Sequence, residues 1–198
     1  MIKSEFPECP LQRVGINLLK LKGKWYAIVT DYYSRFFEVA LLENQKAQTV
    51  INHMKSIFSR HGIPETVRSD CGSQFSTTVE TTREYELFSK KYGFSIVTSS
   101  PKYSQSNGFI ESMVKNFKKH FEKSVDEDPY LMMLVLRTTP LENGYSPAEL
   151  LMGRKLRTNL PMAEKSLMPK IPEADDIRKK ELKYGVNQKN YYDKHHRV

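Results

Sequence analysis

The sequence predicts an α/β fold with a mixed sheet followed by a helical extension, on three observations. Runs with strand character follow one another three times between Gln12 and Leu42. From Lys46 the apolar spacing lengthens to a period of about 3.6 residues, that of a helix. Helix and strand patterns then alternate as far as Ser124, the order expected of helices packed on a sheet.

In QRVGINLLKL, Val14, Ile16 and Leu18 alternate with Gly15, Asn17 and Leu19, so the two sets point to opposite faces of a strand. A turn at Lys22-Gly23-Lys24 leads into a β-rich run from Trp25 to Val29. After a polar break from Asp31 to Arg35, a third run spans Phe36 to Leu42, and three strands in short succession predict an antiparallel meander. Ala47, Val50, Ile51, Met54, Ile57 and Phe58 then form one helical stripe, closed by Gly62 and Pro64. ETVRSD reads as a short buried strand ending at Asp70, with a turn through Cys71-Gly72-Ser73. A helix from Glu84 to Tyr92, a strand from Phe94 to Thr98, the loop SSPKYSQSNG and a helix from about Phe109 to Ser124 complete the core.

Beyond it, DEDPYLMMLVLRTTP predicts an apolar helix whose N-terminus is favoured by Asp126 to Asp128 and whose end is set by Pro140. Ser146-Pro147 opens a short helix, followed by an extended arm. From Pro172 the charged tail predicts a solvent-facing helix.

A length of 198 residues suits one well-buried domain with a tail. No segment approaches the ~18 apolar residues of a membrane span, and MIKSEFPECP lacks the apolar core of a signal peptide, so a soluble intracellular protein with no membrane partner is expected. Cys9 and Cys71 are too few for a disulfide framework or a four-cysteine zinc site, and are expected as reduced thiols. The formal net charge is +8, concentrated in two clusters: Lys115, Lys118, Lys119 and Lys123, then Arg178 to Arg197. Each cluster is either a solvated helix face or an electrostatic footprint for a polyanion.

Two acids occupy positions where chemistry is common. Asp70 closes a strand and Glu111 opens a helix, and strand ends border the ligand crevice of α/β sheets. Paired carboxylates repel unless a proton or cation lies between them, and hard oxygen ligands select Mg²⁺ or Mn²⁺. On the helix, Glu111, Lys115, Lys118 and Glu122 share one face while Ile110, Met113, Val114, Phe117 and Phe121 form the apolar stripe. An acid to hold a cation beside lysines to position a phosphate backbone suits a metal-dependent enzyme acting on nucleic acid. The alternative is two unrelated surface acids and an ordinary Glu-Lys helix pair.

The ordered segments VGINLLKLKGKWYAIVTDYYSRFFEV, HGIPETVRSDCGSQF, YGFSIVTSSPKYSQSNGFIESMVKNFKK, DPYLMMLVLRTTP and GYSPAELLMGRKLRTNLP closely resemble the integrase core of gypsy-type LTR retrotransposons, relatives of retroviral integrases. The resemblance runs from about Leu11 to Pro161. It implies an RNase H-like fold, a five-stranded mixed sheet flanked by helices, with a catalytic core over 11–161 and a basic helical tail over 162–198 that leads towards a C-terminal barrel absent from the sequence. No match to the family's zinc module precedes the core. The resemblance also implies a triad of two aspartates and a glutamate binding two Mg²⁺ (or Mn²⁺), 3′-end processing and strand transfer on element and target DNA, homo-oligomers and a nuclear site of action. Asp70 and Glu111 match the second and third acids and are the implied metal ligands. Tyr103, Gln105 and Asn107 of the active-site loop, with Lys115, Lys118 and Lys119, match DNA-facing positions.

The sequence departs from the family at the first acid, where Asn17 stands in VGINLL. Asparagine is near in shape to aspartate but neutral, and brings one carbonyl oxygen where a carboxylate brings two anionic ones. Loss of metal-dependent strand transfer is therefore expected. Asp31 lies too far along to substitute, since the family has a structural acid there. An insert around Val79 to Arg83 lengthens the interval between the second and third acids, a change that costs little if it lengthens a loop. A second reading stays open: a domesticated, non-catalytic module that keeps the fold for DNA binding or dimerisation.

Overall fold

The computed structural model describes residues 6–69, 78–98, 108–123 and 128–195. The chain divides into two compact units, Met1–Met132 and Met133–Val198. The first unit is built on five strands: β1 (Arg13–Leu21), β2 (Lys24–Asp31), β3 (Phe37–Leu42), β4 (Thr66–Ser69) and β5 (Ser95–Thr98). Their spatial order is β3-β2-β1-β4-β5, with β1, β2 and β3 antiparallel and β4 and β5 joined in parallel beside β1. The mixed sheet is thus the expected one: the hairpins generate the antiparallel half, and helical crossovers the parallel half.

Central placement buries β1 on both faces. Val14 and Ile16 join Ala27, Val29 and Leu42 in a cluster with Val50, Ile51, Met54, Ile57 and Phe58 of α1 (Ala47–His61) and Tyr85 and Phe88 of α2 (Val79–Tyr92). The predicted stripe of α1 is its buried face. Asn44 organises the helix entry, its Oδ1 accepting from the Lys46 backbone N–H and the Thr49 hydroxyl. Gly62, at φ 101°, ends the helix and donates its N–H to the Phe58 carbonyl, a conformation that side chains resist.

On the opposite face lies α3 (Gly108–Lys123), which buries Val114 and Phe117. The Phe117 ring meets Phe37 of β3 edge-on at 5.8 Å, and Phe121 meets Tyr26 of β2 at 5.6 Å. Such pairs favour edge-to-face geometry because ring edges are positive and faces negative. They fix the rotation of α3 about its axis, and so decide which residues it turns towards the sheet end.

One expectation needs correction. The helix foreseen from Glu84 begins at Val79, so the apparent insert is helical, adding more than a turn to α2. Thr78 caps it, its Oγ accepting from the Thr81 N–H at 3.1 Å, and Glu80 complements the dipole of the first turn. These terms outweigh the poor helix propensity of Thr81 and Thr82.

Asp31, 3% exposed, ends β2 with a structural role. Its carboxylate accepts from the backbone N–H groups of Leu11, Tyr33 and Ser34 and from the Ser34 hydroxyl at 2.6 Å. These bonds close the turn into β3, where Arg35 holds a positive φ of 63°. Burial pushes the Asp31 carboxyl above its ordinary value, and the four hydrogen bonds only partly oppose the shift.

The helix α4 (Pro129–Thr138) begins with Asp128, whose Oδ1 accepts from the Tyr130 N–H. In the second unit, α5 (Pro147–Met152) carries a capping box between Ser146 and Glu149, a 3₁₀ turn spans Glu164–Leu167, and α6 (Ala174–His195) forms the expected tail helix. The first turns of α6 are not wholly free in solvent, as the solvent-facing helix expected from the charged tail would be. Ile177 is 1% exposed, Tyr145 donates its hydroxyl to Asp176, and Asn143 donates its amide to Glu181. Sparse aliphatics in the tail hid this, because one isoleucine flanked by polar contacts carries the docking.

Candidate functional site

A cleft of about 600 Å³ opens in the first unit between β1 and α3. Asn17 of β1 lines it together with Glu111, Val114, Lys115, Lys118, Lys119, Glu122 and Lys123 of α3. Strand alternation brings Asn17 there: Val14 and Ile16 face α1, so Asn17 faces α3. Helical spacing does the rest. With Phe117 turned into the sheet, residues three, four and seven apart along the neighbouring stripe project along the cleft.

Four lysines share the cleft with two glutamates. Among the described residues none of the four is in an ion pair, and Asn17 makes no side-chain hydrogen bond. Unpaired ammonium groups along one groove attract a polyanion and release its counterions, and the half-buried Lys118 does so with less screening than Lys115 or Lys119.

Of the residues the sequence singled out, Asn17, Glu111, Lys115, Lys118 and Lys119 come together here. Asp70, Tyr103, Gln105 and Asn107 lie outside the described residues. The β1/β4 ladder ends on the pair Ile16 and Ser69, the residues preceding Asn17 and Asp70 in the chain. Glu122 and Lys123 were not foreseen as site residues, although their spacing from Glu111 and Lys119 carried the signal. The thiol of Cys9 is exposed, and partial desolvation together with the nearby acids Glu65, Asp31 and Glu8 pushes its pKa above the ordinary value.

The fit to a divalent metal is a question of donors. Two cations close together need anionic oxygens between them, and here the described donors are Glu111, Glu122 and a neutral amide among four ammonium groups. Among the described residues no group of three acids, histidines or cysteines converges. The described side chains alone therefore do not fit a pair of divalent cations. Nor, among them, is any helix long and apolar enough to cross a membrane.

The five-stranded mixed sheet flanked by helices is the RNase H-like fold seen in integrase catalytic cores. The chain matches the family model of the integrase core domain over residues 9–104. It is similar to the Caenorhabditis elegans protein named uncharacterized protein K02A2.6, 32% identical over 216 residues, an alignment that covers 96% of this chain and 16% of that protein. It is also similar to the Gag-Pol polyprotein of Walleye dermal sarcoma virus, 27% identical over 165 residues, with 77% of this chain and 9% of the polyprotein covered. The chain thus spans less than a fifth of either relative. The catalytic core domain of BIV integrase has the same fold, with a TM-score of 0.60 at 17% identity over 72% of this chain and 94% of that one.

Proposed function

We propose that the chain is the DNA-handling core of a gypsy-type integrase whose strand-transfer chemistry is impaired by Asn17. The observation that carries this reading is that Asn17 and Glu111 line one lysine-rich cleft. A metal-assisted transfer at phosphorus draws on anionic oxygens to hold cations against the attacking and leaving oxygens. Asn17 supplies none. Lys115, Lys118 and Lys119 supply the complementary function, holding the phosphate backbone beside Glu111. Asp70 is assigned as the second acid from the family resemblance, and Tyr103, Gln105 and Asn107 as further DNA contacts. Nuclear DNA, both element ends and target, is the proposed substrate, and a homo-oligomer holding paired ends the proposed working form.

The test is strand joining in Mn²⁺ buffer, with the chain and its Asn17→Asp variant compared on the same labelled DNA. A gain in the variant supports impairment at this position. Equal joining by the two proteins would remove it.

A further inference from the structure

We propose that Asn17 makes the cleft a metal-independent phosphate site, its side-chain amide donating to a phosphodiester oxygen that the cleft lysines hold. The inference rests on the DNA-handling reading above and specifies how the polyanion is held.

A carboxylate at position 17 would repel a phosphate unless a cation lay between them, so an aspartate there couples backbone binding to metal binding. Asparagine reverses the sign of that contact, since its Nδ2 carries two N–H donors in nearly the same volume. The side chain is available, for it lines the cleft and, among the described residues, makes no hydrogen bond of its own. Lys115, Lys118, Lys119 and Lys123 supply the positive charge that a divalent cation would otherwise bring to the phosphate. Glu111 and Glu122 remain as acids in the cleft, and the amide of Asn17 offsets their repulsion by adding neutral donors where the phosphate comes nearest.

The chemical class recognised is a phosphodiester backbone rather than particular bases. Lysines are flexible point charges without the forked geometry that reads base edges. Binding is therefore expected to depend on salt and little on sequence.

The experiment is fluorescence anisotropy of a labelled 20-base-pair DNA duplex with the full chain, in EDTA and in MgCl₂, for the native protein, Asn17→Asp, Asn17→Ala and Lys115→Ala/Lys118→Ala. Circular dichroism of each variant reports whether it is folded. The expected result is a native Kd that changes less than about twofold between EDTA and MgCl₂ buffers of matched ionic strength. Asn17→Asp should weaken binding in EDTA by about tenfold and recover in MgCl₂, and Asn17→Ala should weaken it by a smaller factor in both, consistent with loss of a charge-assisted hydrogen bond. If native binding is lost in EDTA, or if Asn17→Ala binds as tightly as native, the inference is overturned while the DNA-handling reading stands. If the native chain binds no duplex in either buffer, both fall.

Discussion

Asn17 and Glu111 face one cleft from different elements, the first from the central strand and the second from the opening turn of α3. The lysines that flank Glu111 follow from the same helical face, and their contribution to DNA binding is measurable apart from catalysis. Changing Lys115 and Lys118 to alanine should lower duplex affinity and reduce the slope of log K against log salt by about 1.8, at roughly 0.9 per phosphate contact. Titrations at several salt concentrations measure that slope. An unchanged slope would place the DNA elsewhere on the molecule.

Phe117 is the anchor that orients α3. It is 2% exposed and meets both Phe37 and Phe121. Phe117→Ala should cost about 3–5 kcal/mol of stability, as large-to-small changes of buried aromatics do, read from urea unfolding of the intact chain. Phe117→Leu keeps most of the volume and should cost less. A loss below about 1 kcal/mol for the alanine variant would contradict the packing described.

The Asp31 turn carries a pH signature. Burial raises the folded-state pKa of this carboxyl above the ordinary 3.8, so between those two values the folded protein binds more protons than the unfolded one. The stabilisation from Asp31 is therefore full below the unfolded pKa and declines as pH rises through the folded pKa. At neutral pH, Asp31→Ala should still cost about 1–3 kcal/mol because it orphans buried N–H donors. The difference from the native chain should be larger in acid than at neutrality. Urea midpoints for both proteins from pH 4 upward check the sign.

The early start of α2 makes a smaller prediction. Thr78→Ala removes the side-chain oxygen that accepts from Thr81 N–H, and should cost about 0.5–2 kcal/mol with loss of helical signal at that end. If Val79 to Arg83 were a loop, the same change would be nearly silent.

Where periodicity is strong, the elements follow directly from the residues. The alternation around Asn17 and the stripe from Ala47 to Phe58 each encode an amphipathic surface, and the structure buries those surfaces. The start of α2 was hidden because β-branched threonines argue locally against helix, while the cap that permits it is a single hydroxyl. The role of Asp31 was invisible to local patterns because one of its donors, Leu11, lies 20 residues away in the chain. The site divides similarly. Glu111 and its lysines sit on one helix and their spacing revealed them, whereas nothing local ties Asn17 to that helix. Its place in the cleft depends on α3 packing across β1, and before the structure only the family resemblance joined the two. The tail helix misled for the same reason, since the burial of Ile177 and the hydrogen bonds of Asp176 to Tyr145 and of Glu181 to Asn143 are tertiary, with partners more than 30 residues apart in the chain.

The most direct test of the central claim is single-turnover strand joining in Mn²⁺ by four proteins: native, Asn17→Asp, Glu111→Gln and the Asn17→Asp/Glu111→Gln double variant. The expected result is a gain of about 10–100-fold from Asn17→Asp, the order by which groups that support a metal site alter activity, and its complete loss when Glu111→Gln is added. Native joining as fast as that of Asn17→Asp, or a gain that survives Glu111→Gln, would contradict it.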